Sequence, residues 1–245
     1  RPHPSQRAGR AGCPSGPSTR KTERFLLLQC RRGFEKECAA EIQDLAAAIG
    51  VPGYVDASEN SGWARFFAPP EHGIDALLPH VDLRTLVFPR QWCCAVEAEG
   101  LAPGNRIDGL LAALGRQALS EIFLEAPDTE AGKELLPLLR QLDRPLRQAL
   151  GESGLLNDTG GPGRRGHLFF VGSTLAWVGE SDPVRSAPWP MGIPRLRLPR
   201  TAPSRSTLKL EEALLWFLDD RERADRLAPG RQAVGLGAAP GGWAW

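Results

Sequence analysis

The sequence lacks any long apolar run, and this absence excludes several classes of protein. No stretch of the 245 residues approaches the ~20 apolar residues that a membrane helix needs. The longest early apolar run, 25–28, is too short for the hydrophobic region of a secretory signal peptide. We therefore predict a cytoplasmic protein that has no membrane partner.

The spacing patterns of metal sites and redox motifs are also missing. The five cysteines show no CxxC spacing, and the four histidines are scattered along the chain. Structural zinc sites and dithiol motifs depend on such close spacing. We predict reduced thiols, no disulfide and no metal site.

Acidic residues are absent from two segments of a nearly neutral chain. Residues 1–22 carry a charge of +5 and residues 183–209 a charge of +6, whereas the whole chain carries +1. A polyanionic partner is expected to meet these two segments first. For 183–209, the alternative is a basic linker that binds nothing.

Residues 1–22 contain almost no large apolar side chain. Such a segment cannot offset the entropy cost of ordering, so we predict a disordered tail. Such a tail could be an arm that tethers RNA, but a translated upstream leader or an ordinary tail without a ligand is favoured.

The apolar pattern of 24–97 predicts a β-α-β-β-α-β unit, the element order of a ferredoxin-like domain. Its first helix is indicated by Cys38, Ile42 and Leu45, which fall at helical spacing. The predicted elements are strands at 25–28, 54–58, 62–68, 85–88 and 91–96, and helices at 34–49 and 73–78.

A second unit is predicted over about 104–182. Its longest helix carries a leucine stripe from Leu135 to Leu150, which we interpret as a core face rather than a partner surface. Pro137 is expected in the first turn of this helix, and Pro145 is expected to kink it. The other predicted elements are a helix at 106–118 and strands at 121–125, 167–171 and 175–178.

Six prolines between residues 182 and 203 predict an extended basic linker over 183–203. A helix is predicted over 206–218 and a strand over 233–236. The glycine-rich loop 237–243 follows that strand, at the place where nucleotide-like ligands bind in α/β sheets. Pro240 stands where the dinucleotide fingerprint has its third glycine, so NAD is disfavoured. A simple tight turn is the alternative for this loop.

Two motifs together carry a family resemblance. The segment APSRSTLKLEEA, which contains Ser206 and Lys209, precedes LGAAPGGW by about thirty residues. This pair resembles the FtsJ-like ribose 2′-O-methyltransferases, in which an S-R-x-x-x-K-L helix precedes a D-x-G-x-x-P-G-G-[WF] loop. Four upstream blocks narrow the resemblance to the RlmM family of 23S ribosomal RNA methyltransferases: GFEKECAAEI, FPRQW, KELLPLLRQLDRPLRQAL and MGIPRLRLP.

The resemblance covers about 24–245 and implies the fold class, which is α/β with an α+β N-terminal part. It implies a ferredoxin-like domain at 24–97, a THUMP RNA-binding domain at 98–182, and a Rossmann-like methyltransferase domain that begins near residue 204. It further implies S-adenosylmethionine as cofactor, 23S ribosomal RNA as partner and a monomeric state.

The resemblance also implies roles for individual residues. Lys209 matches the first lysine of the family's catalytic Lys-Asp-Lys-Glu tetrad. The matching cofactor-contacting positions are Ser206, Gly237, Ala239, Pro240, Gly241 and Gly242. Gly235 departs from the family, which has aspartate at this position. The other three tetrad residues would follow Trp245, so these 245 residues alone are not expected to catalyse methyl transfer.

The implied activity is 2′-O-methylation of a cytidine ribose in 23S ribosomal RNA. In such a reaction the ribose hydroxyl attacks a sulfonium methyl group, and it needs a base and a held geometry. The alternative is a non-catalytic, THUMP-type RNA-binding module.

Overall fold

The computed structural model describes residues 23–70, 73–156, 163–232 and 234–235. Its strands are β1 (Phe25–Cys30), β2 (Tyr54–Asp56), β3 (Trp63–Phe67), β4 (Pro89–Ala98), β5 (Leu119–Glu125), β6 (Arg164–Phe170) and β7 (Ala176–Ser181). Its helices are α1 (Glu35–Ala48), α2 (Arg106–Leu114), α3 (Glu130–Glu152), α4 (Ser206–Phe217) and α5 (Asp220–Arg226). The predicted tail 1–22 lies outside the described residues.

All seven strands form one sheet in the order β2-β3-β1-β4-β7-β6-β5. The first four strands and α1 follow the predicted β-α-β-β…β order, but two short 3₁₀ turns stand where the second helix was expected. Strand β4 pairs with β7, for example Val96 with Val178, so the two predicted units share a continuous sheet. Only β5 and β6 are parallel among the described pairs, because α3 carries the chain back between them.

Helices α1, α2 and α3 cover the same face of this sheet. Trp92 and Cys94 of β4 pack in the cluster that contains α1, and Ala98 packs in the cluster that contains α2 and α3. These three residues have the same parity along the strand, so their side chains point to one face. The leucine stripe of α3 supplies Leu139, Leu142, Leu146 and Leu150 to this core, as predicted.

The opposite face is closed largely by aromatic side chains around Arg65. Its guanidinium lies 4.6 Å from the Trp177 ring centroid and also approaches the rings of Phe25, Trp63 and Phe67. Asp56 and Glu97 form ion pairs with it. The guanidinium therefore covers apolar rings while its charge stays paired.

Two of the predicted elements in the first unit are wrong. Residues 73–78 do not form an α-helix but two short 3₁₀ turns, Ile74–Ala76 and Leu78–His80, because Pro79 supplies no backbone N–H. Residues 85–88 are not a strand. Their backbone N–H groups are occupied elsewhere, since Glu41 accepts hydrogen bonds from the N–H groups of Val87 and Phe88.

The boundaries of two helices also differ from prediction. Helix α2 ends at Leu114 because Gly115 adopts a φ of 75°. Helix α3 begins at Glu130, so Pro137 is its eighth residue and does not lie in the first turn. Helix α5 was not predicted. Half of the predicted strand 233–236 lies outside the described residues, and the two described positions within it are not in a strand.

Candidate functional site

Helix α4 carries the two predicted site residues that the structure describes. Ser206 is its first residue and is half-buried, whereas Lys209 is exposed. Residues three apart on a helix are neighbours on one face, so these two side chains share a surface. The hydroxyl groups of Ser204 and Ser206 are hydrogen-bonded to each other, which fixes the turn that leads into α4. Gly237, Ala239, Pro240, Gly241 and Gly242 lie outside the described residues.

Exposed cations continue from α4 back along the preceding segment. These cations follow one another in the sequence with no acidic residue between them: Arg195, Arg197, Arg200, Arg205 and Lys209. All five side chains are exposed, and none of them forms an ion pair with the described residues. This segment presents five uncompensated positive charges next to Ser206, a pattern suited to phosphate groups.

The first part of the predicted linker is packed rather than extended in solvent. We call residues 182–193 the strap, because they run from the end of β7 across the sheet. Ala187 and Met191 of the strap are buried. The side-chain amide of Gln91 donates to the carbonyl groups of Ala187 and Trp189 and accepts from the Ala187 N–H. Six prolines indicated an open linker, but the partners on β4 hold this part against the sheet.

A buried polar cluster lies beneath the strap. Glu125 Oε2 is 2.9 Å from His167 Nδ1 and accepts from Gln29 Nε2 at 3.1 Å. Its other oxygen accepts from the Met191 backbone N–H of the strap. Nε2 of His167 is 2.8 Å from Ser181 Oγ. Gln29 Oε1 has no hydrogen-bond partner among the described residues.

The direction of the hydrogen bonds in this cluster can be assigned. Ser186 Oγ is 2.7 Å from the Asp182 carbonyl, which can only accept, so Ser186 donates there. The Ser181 hydroxyl therefore donates to Ser186. Its own oxygen must then accept from the Nε2–H of His167. The other ring nitrogen, Nδ1, faces the Glu125 carboxylate, so the histidine side chain joins Glu125 to Ser181 within the buried core.

The strap bends sharply where it meets Glu125. Met191 has a φ of 58° and Gly192 a φ of 63°, both in the left-handed region. At Gly192, a Cβ atom would lie 1.8 Å from the Arg90 carbonyl oxygen, so no larger residue fits without movement. The Met191-Gly192 pair in MGIPRLRLP thus has a defined backbone role.

The strap also contacts α4. The ring centroids of Trp189 and Trp216 are 5.3 Å apart in an edge-to-face arrangement. A groove of about 690 Å³ lies beside this contact, and its lining includes Gly192, Ile193, Glu212 and Trp216. The strap therefore links the sheet to the helix that carries Lys209. The sequence pattern did not reveal this link, because its partners lie on distant strands.

The four described cysteines are free and buried. Burial raises the pKa of Cys93 well above its ordinary value, and the nearby Glu125 adds to this effect. A hydrogen bond to Cys30, together with burial, raises the pKa of Cys38. Such thiols stay protonated and unreactive. Among the described residues there is no cluster of metal-ligating side chains, and no helix is long and apolar enough to cross a membrane.

Two family models match consecutive parts of the chain. Residues 24–93 match the RlmM ferredoxin-like domain, and residues 105–182 match the N-terminal region of ribosomal RNA large subunit methyltransferase M. Together they cover more than half of the chain.

Curated relatives extend the similarity to 90% of the chain. Proteins named ribosomal RNA large subunit methyltransferase M are 48% identical over 227 residues in Methylococcus capsulatus and 47% identical over 223 residues in Azotobacter vinelandii. The one from Xanthomonas oryzae pv. oryzae is 44% identical over 223 residues. The chain spans 62–63% of the length of these relatives. Among solved structures, that of TrmN from Thermus thermophilus aligns at a TM-score of 0.35 and 16% identity, over 64% of this chain and 45% of that one.

Proposed function

Because this chain belongs to the RlmM family, we propose that it serves in S-adenosylmethionine-dependent 2′-O-methylation of a cytidine ribose in 23S ribosomal RNA. The observation that carries the proposal is the identity of 44–48% over 90% of the chain to proteins named as methyltransferases of large-subunit ribosomal RNA. The proposed partner is 23S ribosomal RNA, and the proposed enzyme is a cytoplasmic monomer.

The proposed domain arrangement follows the family. Residues 24–97 form a ferredoxin-like domain and 98–182 a THUMP RNA-binding domain. Residues 183–203 are the basic connection, and a Rossmann-like methyltransferase domain begins at 204. The first half of that connection belongs to the strap, which packs against the sheet.

Lys209 is the proposed catalytic residue of the described part of the site. Its ammonium group donates a hydrogen bond to the ribose 2′-hydroxyl, orients it, and stabilises the negative charge that develops on the oxygen. S-adenosylmethionine supplies the methyl group when it is bound. Ser206 lies on the same face of α4 as Lys209, where its hydroxyl fits a cofactor contact. Gly237, Ala239, Pro240, Gly241 and Gly242 are proposed to let the cofactor approach the backbone closely.

The basic segment is proposed to bind RNA phosphates next to this site. Arg195, Arg197, Arg200 and Arg205 are exposed and precede Lys209 in the chain. Phosphate neutralisation by such side chains supplies much of the affinity for RNA. RNA bound along this segment would reach the surface that Ser206 and Lys209 share.

The experiment that tests the proposal is methyl transfer to 23S ribosomal RNA that lacks its native modifications. The full-length gene product is incubated with this RNA and cofactor that carries a labelled methyl group. We expect about one labelled methyl group to be transferred to each RNA molecule. RNA binding without label would instead favour the alternative, a non-catalytic RNA-binding module.

A further inference from the structure

We propose that Glu125 is a positioning residue, which acts through the strap to hold α4, and with it Lys209, in place relative to the sheet. The inference rests on the proposed function of Lys209, but its structural part stands on contacts that are independent of catalysis. The chain of contacts runs from Glu125 to Met191, along the strap to Trp189, and from there to Trp216 of α4.

The first link is the carboxylate of Glu125, which is 1% exposed. It accepts hydrogen bonds from Gln29 and from the Met191 N–H, and it lies 2.9 Å from His167 Nδ1. A buried carboxylate with three partners has one low-energy position. Two of these partners belong to the sheet and one belongs to the strap, so Glu125 joins the strap to the sheet.

The second link is the bend at Met191 and Gly192. Left-handed backbone at a residue other than glycine costs free energy and persists only where its surroundings enforce it. The hydrogen bond from Met191 to Glu125 and the close approach of Gly192 to Arg90 are the enforcing contacts. If either contact is lost, the bend at Met191 and Gly192 is free to relax and to shift the adjacent Trp189.

The third link is the contact between Trp189 and Trp216. Trp189 is held by its carbonyl group, which accepts from Gln91. Its indole packs edge to face against Trp216 near the C-terminal end of α4. A relaxed strap would move Trp189, and α4 would lose this anchor to the sheet.

The test uses a pair of glycine variants that have the same backbone cost. Gly192 and Gly154 have φ values of 63° and 69°, so alanine is strained at both positions. A Cβ atom at Gly154 meets nothing within 4 Å, whereas one at Gly192 meets the Arg90 backbone. Gly192→Ala should therefore displace the strap, and Gly154→Ala should not.

A second pair of variants addresses Glu125. In Glu125→Gln, the side-chain oxygen still accepts from Met191. Its amide can donate to His167 Nδ1 and, if the Gln29 amide rotates, to the Gln29 oxygen, which has no partner among the described residues. We therefore expect rescue by glutamine. Glu125→Ala removes every contact and should behave like Gly192→Ala.

Two readouts are needed. The first is the exciton couplet of Trp189 and Trp216 in the far-ultraviolet circular dichroism of the folded chain, with Trp216→Phe as the reference that identifies it. The second is kcat for methyl transfer and the RNA affinity of the full-length gene product. We expect the couplet to disappear in Gly192→Ala and in Glu125→Ala. We expect kcat to fall about 100-fold in both variants, because a small misplacement of a catalytic group has an effect of this size. RNA affinity should be unchanged. Gly154→Ala and Glu125→Gln should match the wild type.

An intact couplet and unchanged kcat in Gly192→Ala would overturn the inference even if that variant melts at a lower temperature. If Glu125→Ala does not fold, the comparison of Gly192→Ala with Gly154→Ala still tests whether the strap positions α4. Failure of the proposed function is distinguishable, because wild-type protein would then transfer no methyl group while the couplet still responds to the variants.

Discussion

Lys209 is the residue on which the proposed chemistry depends most. It is exposed at the surface of α4 and forms no hydrogen bond with the described residues. An exposed ammonium group on a helix beside a basic segment is available to a ribose hydroxyl. The same exposure would suit an ordinary surface lysine, so a variant has to separate these two roles.

We expect Lys209→Ala in the full-length gene product to lower methyl transfer by about 10²–10³-fold, because one donor to a developing oxyanion is lost. Cofactor affinity should stay close to that of the wild type. Single-turnover transfer and calorimetric titration measure the two quantities. Lys133→Ala is the matched control, since Lys133 is an exposed helical lysine paired with Glu130. Unchanged transfer in Lys209→Ala would remove this lysine from the mechanism.

Glu35 is a structural residue with a clear electrostatic signature. Burial alone would raise the pKa of its carboxyl group, but backbone N–H groups, with Gly62 the largest contributor and Gly33 among the others, hold the pKa below its ordinary 4.5. Gly62 N lies 2.8 Å from the carboxylate, and Gly33 N lies within 3.1 Å. The carboxylate thus ties the start of α1 to the turn before β3.

This arrangement predicts acid sensitivity. Because the folded-state pKa is depressed, the stabilisation is complete above the unfolded value of about 4.5 and is lost as pH falls through the folded value. We expect Glu35→Gln to destabilise the chain by about 2 kcal/mol at pH 7. The difference from the wild type should shrink below pH ~4.5 in urea unfolding. Glu37→Gln, at an exposed site in the same turn, should have little effect. A difference that does not vary with pH would contradict this account of Glu35.

In the first turn of helix α3, Gly132 lies at a position where no side chain fits. Thr129 caps the helix by accepting from the Gly132 N–H at 3.1 Å. A Cβ atom on Gly132 would lie 1.8 Å from the Pro127 carbonyl oxygen, but one on Gly151 would meet nothing within 4 Å. The first glycine therefore defines the helix start, and the second only lowers helix propensity.

We expect Gly132→Ala to destabilise the chain by about 1–3 kcal/mol, since the helix start must shift to make room. Gly151→Ala, near the other end of the same helix, should be neutral or stabilise by less than about 1 kcal/mol. Denaturant unfolding of both variants measures the difference. Equal effects at the two positions would show that the close approach to Pro127 is not what matters.

Elements with a strong apolar period were predictable from the sequence, and elements defined by distant partners were not. The stripe of Cys38 and Ile42 identified α1, and the leucines identified α3. The segment 85–88 is apolar and β-branched enough to suggest a strand. However, the backbone N–H groups of Val87 and Phe88 in this segment donate to the side chain of Glu41 in α1, so they do not pair with a strand. No local pattern carries that information.

The same limit applies to the candidate site. Sequence motifs placed Ser206 and Lys209 on one helix, and the structure has that helix at 206–217. Their roles stay predictions, as do those of the glycine-loop residues. The strap was missed because proline content describes only the segment itself. Its partners Gln91 and Glu125 lie more than sixty residues away on the sheet.

At the scale of the whole molecule, the pairing of β4 with β7 makes the two N-terminal units one body. Positive charge is concentrated at one boundary of this body, in 183–209, whereas 23–182 carries a net charge of −8. An RNA that binds by its phosphates is therefore expected to meet the basic boundary and the adjoining α4 before the rest of the surface.

This charge pattern predicts the salt dependence of RNA binding. We expect the triple variant Arg195→Gln, Arg197→Gln and Arg200→Gln to lower the slope of log K against log[salt] by about 2, since each phosphate contact contributes ~0.7–0.9. Filter binding at several salt concentrations measures it. Arg84→Gln is the control, because its guanidinium is paired with Asp82. An unchanged slope in the triple variant would exclude this segment from RNA contact.

The proposed function places the methyl group on a cytidine ribose oxygen, and the chemical identity of the product distinguishes this position from every other. The RNA is methylated by the full-length gene product, digested to nucleosides, and analysed by mass spectrometry against standards. We predict that 2′-O-methylcytidine is the product and that it is absent without cofactor. A cytidine methylated on the base, or a methyl group on another nucleoside, would contradict the proposed function.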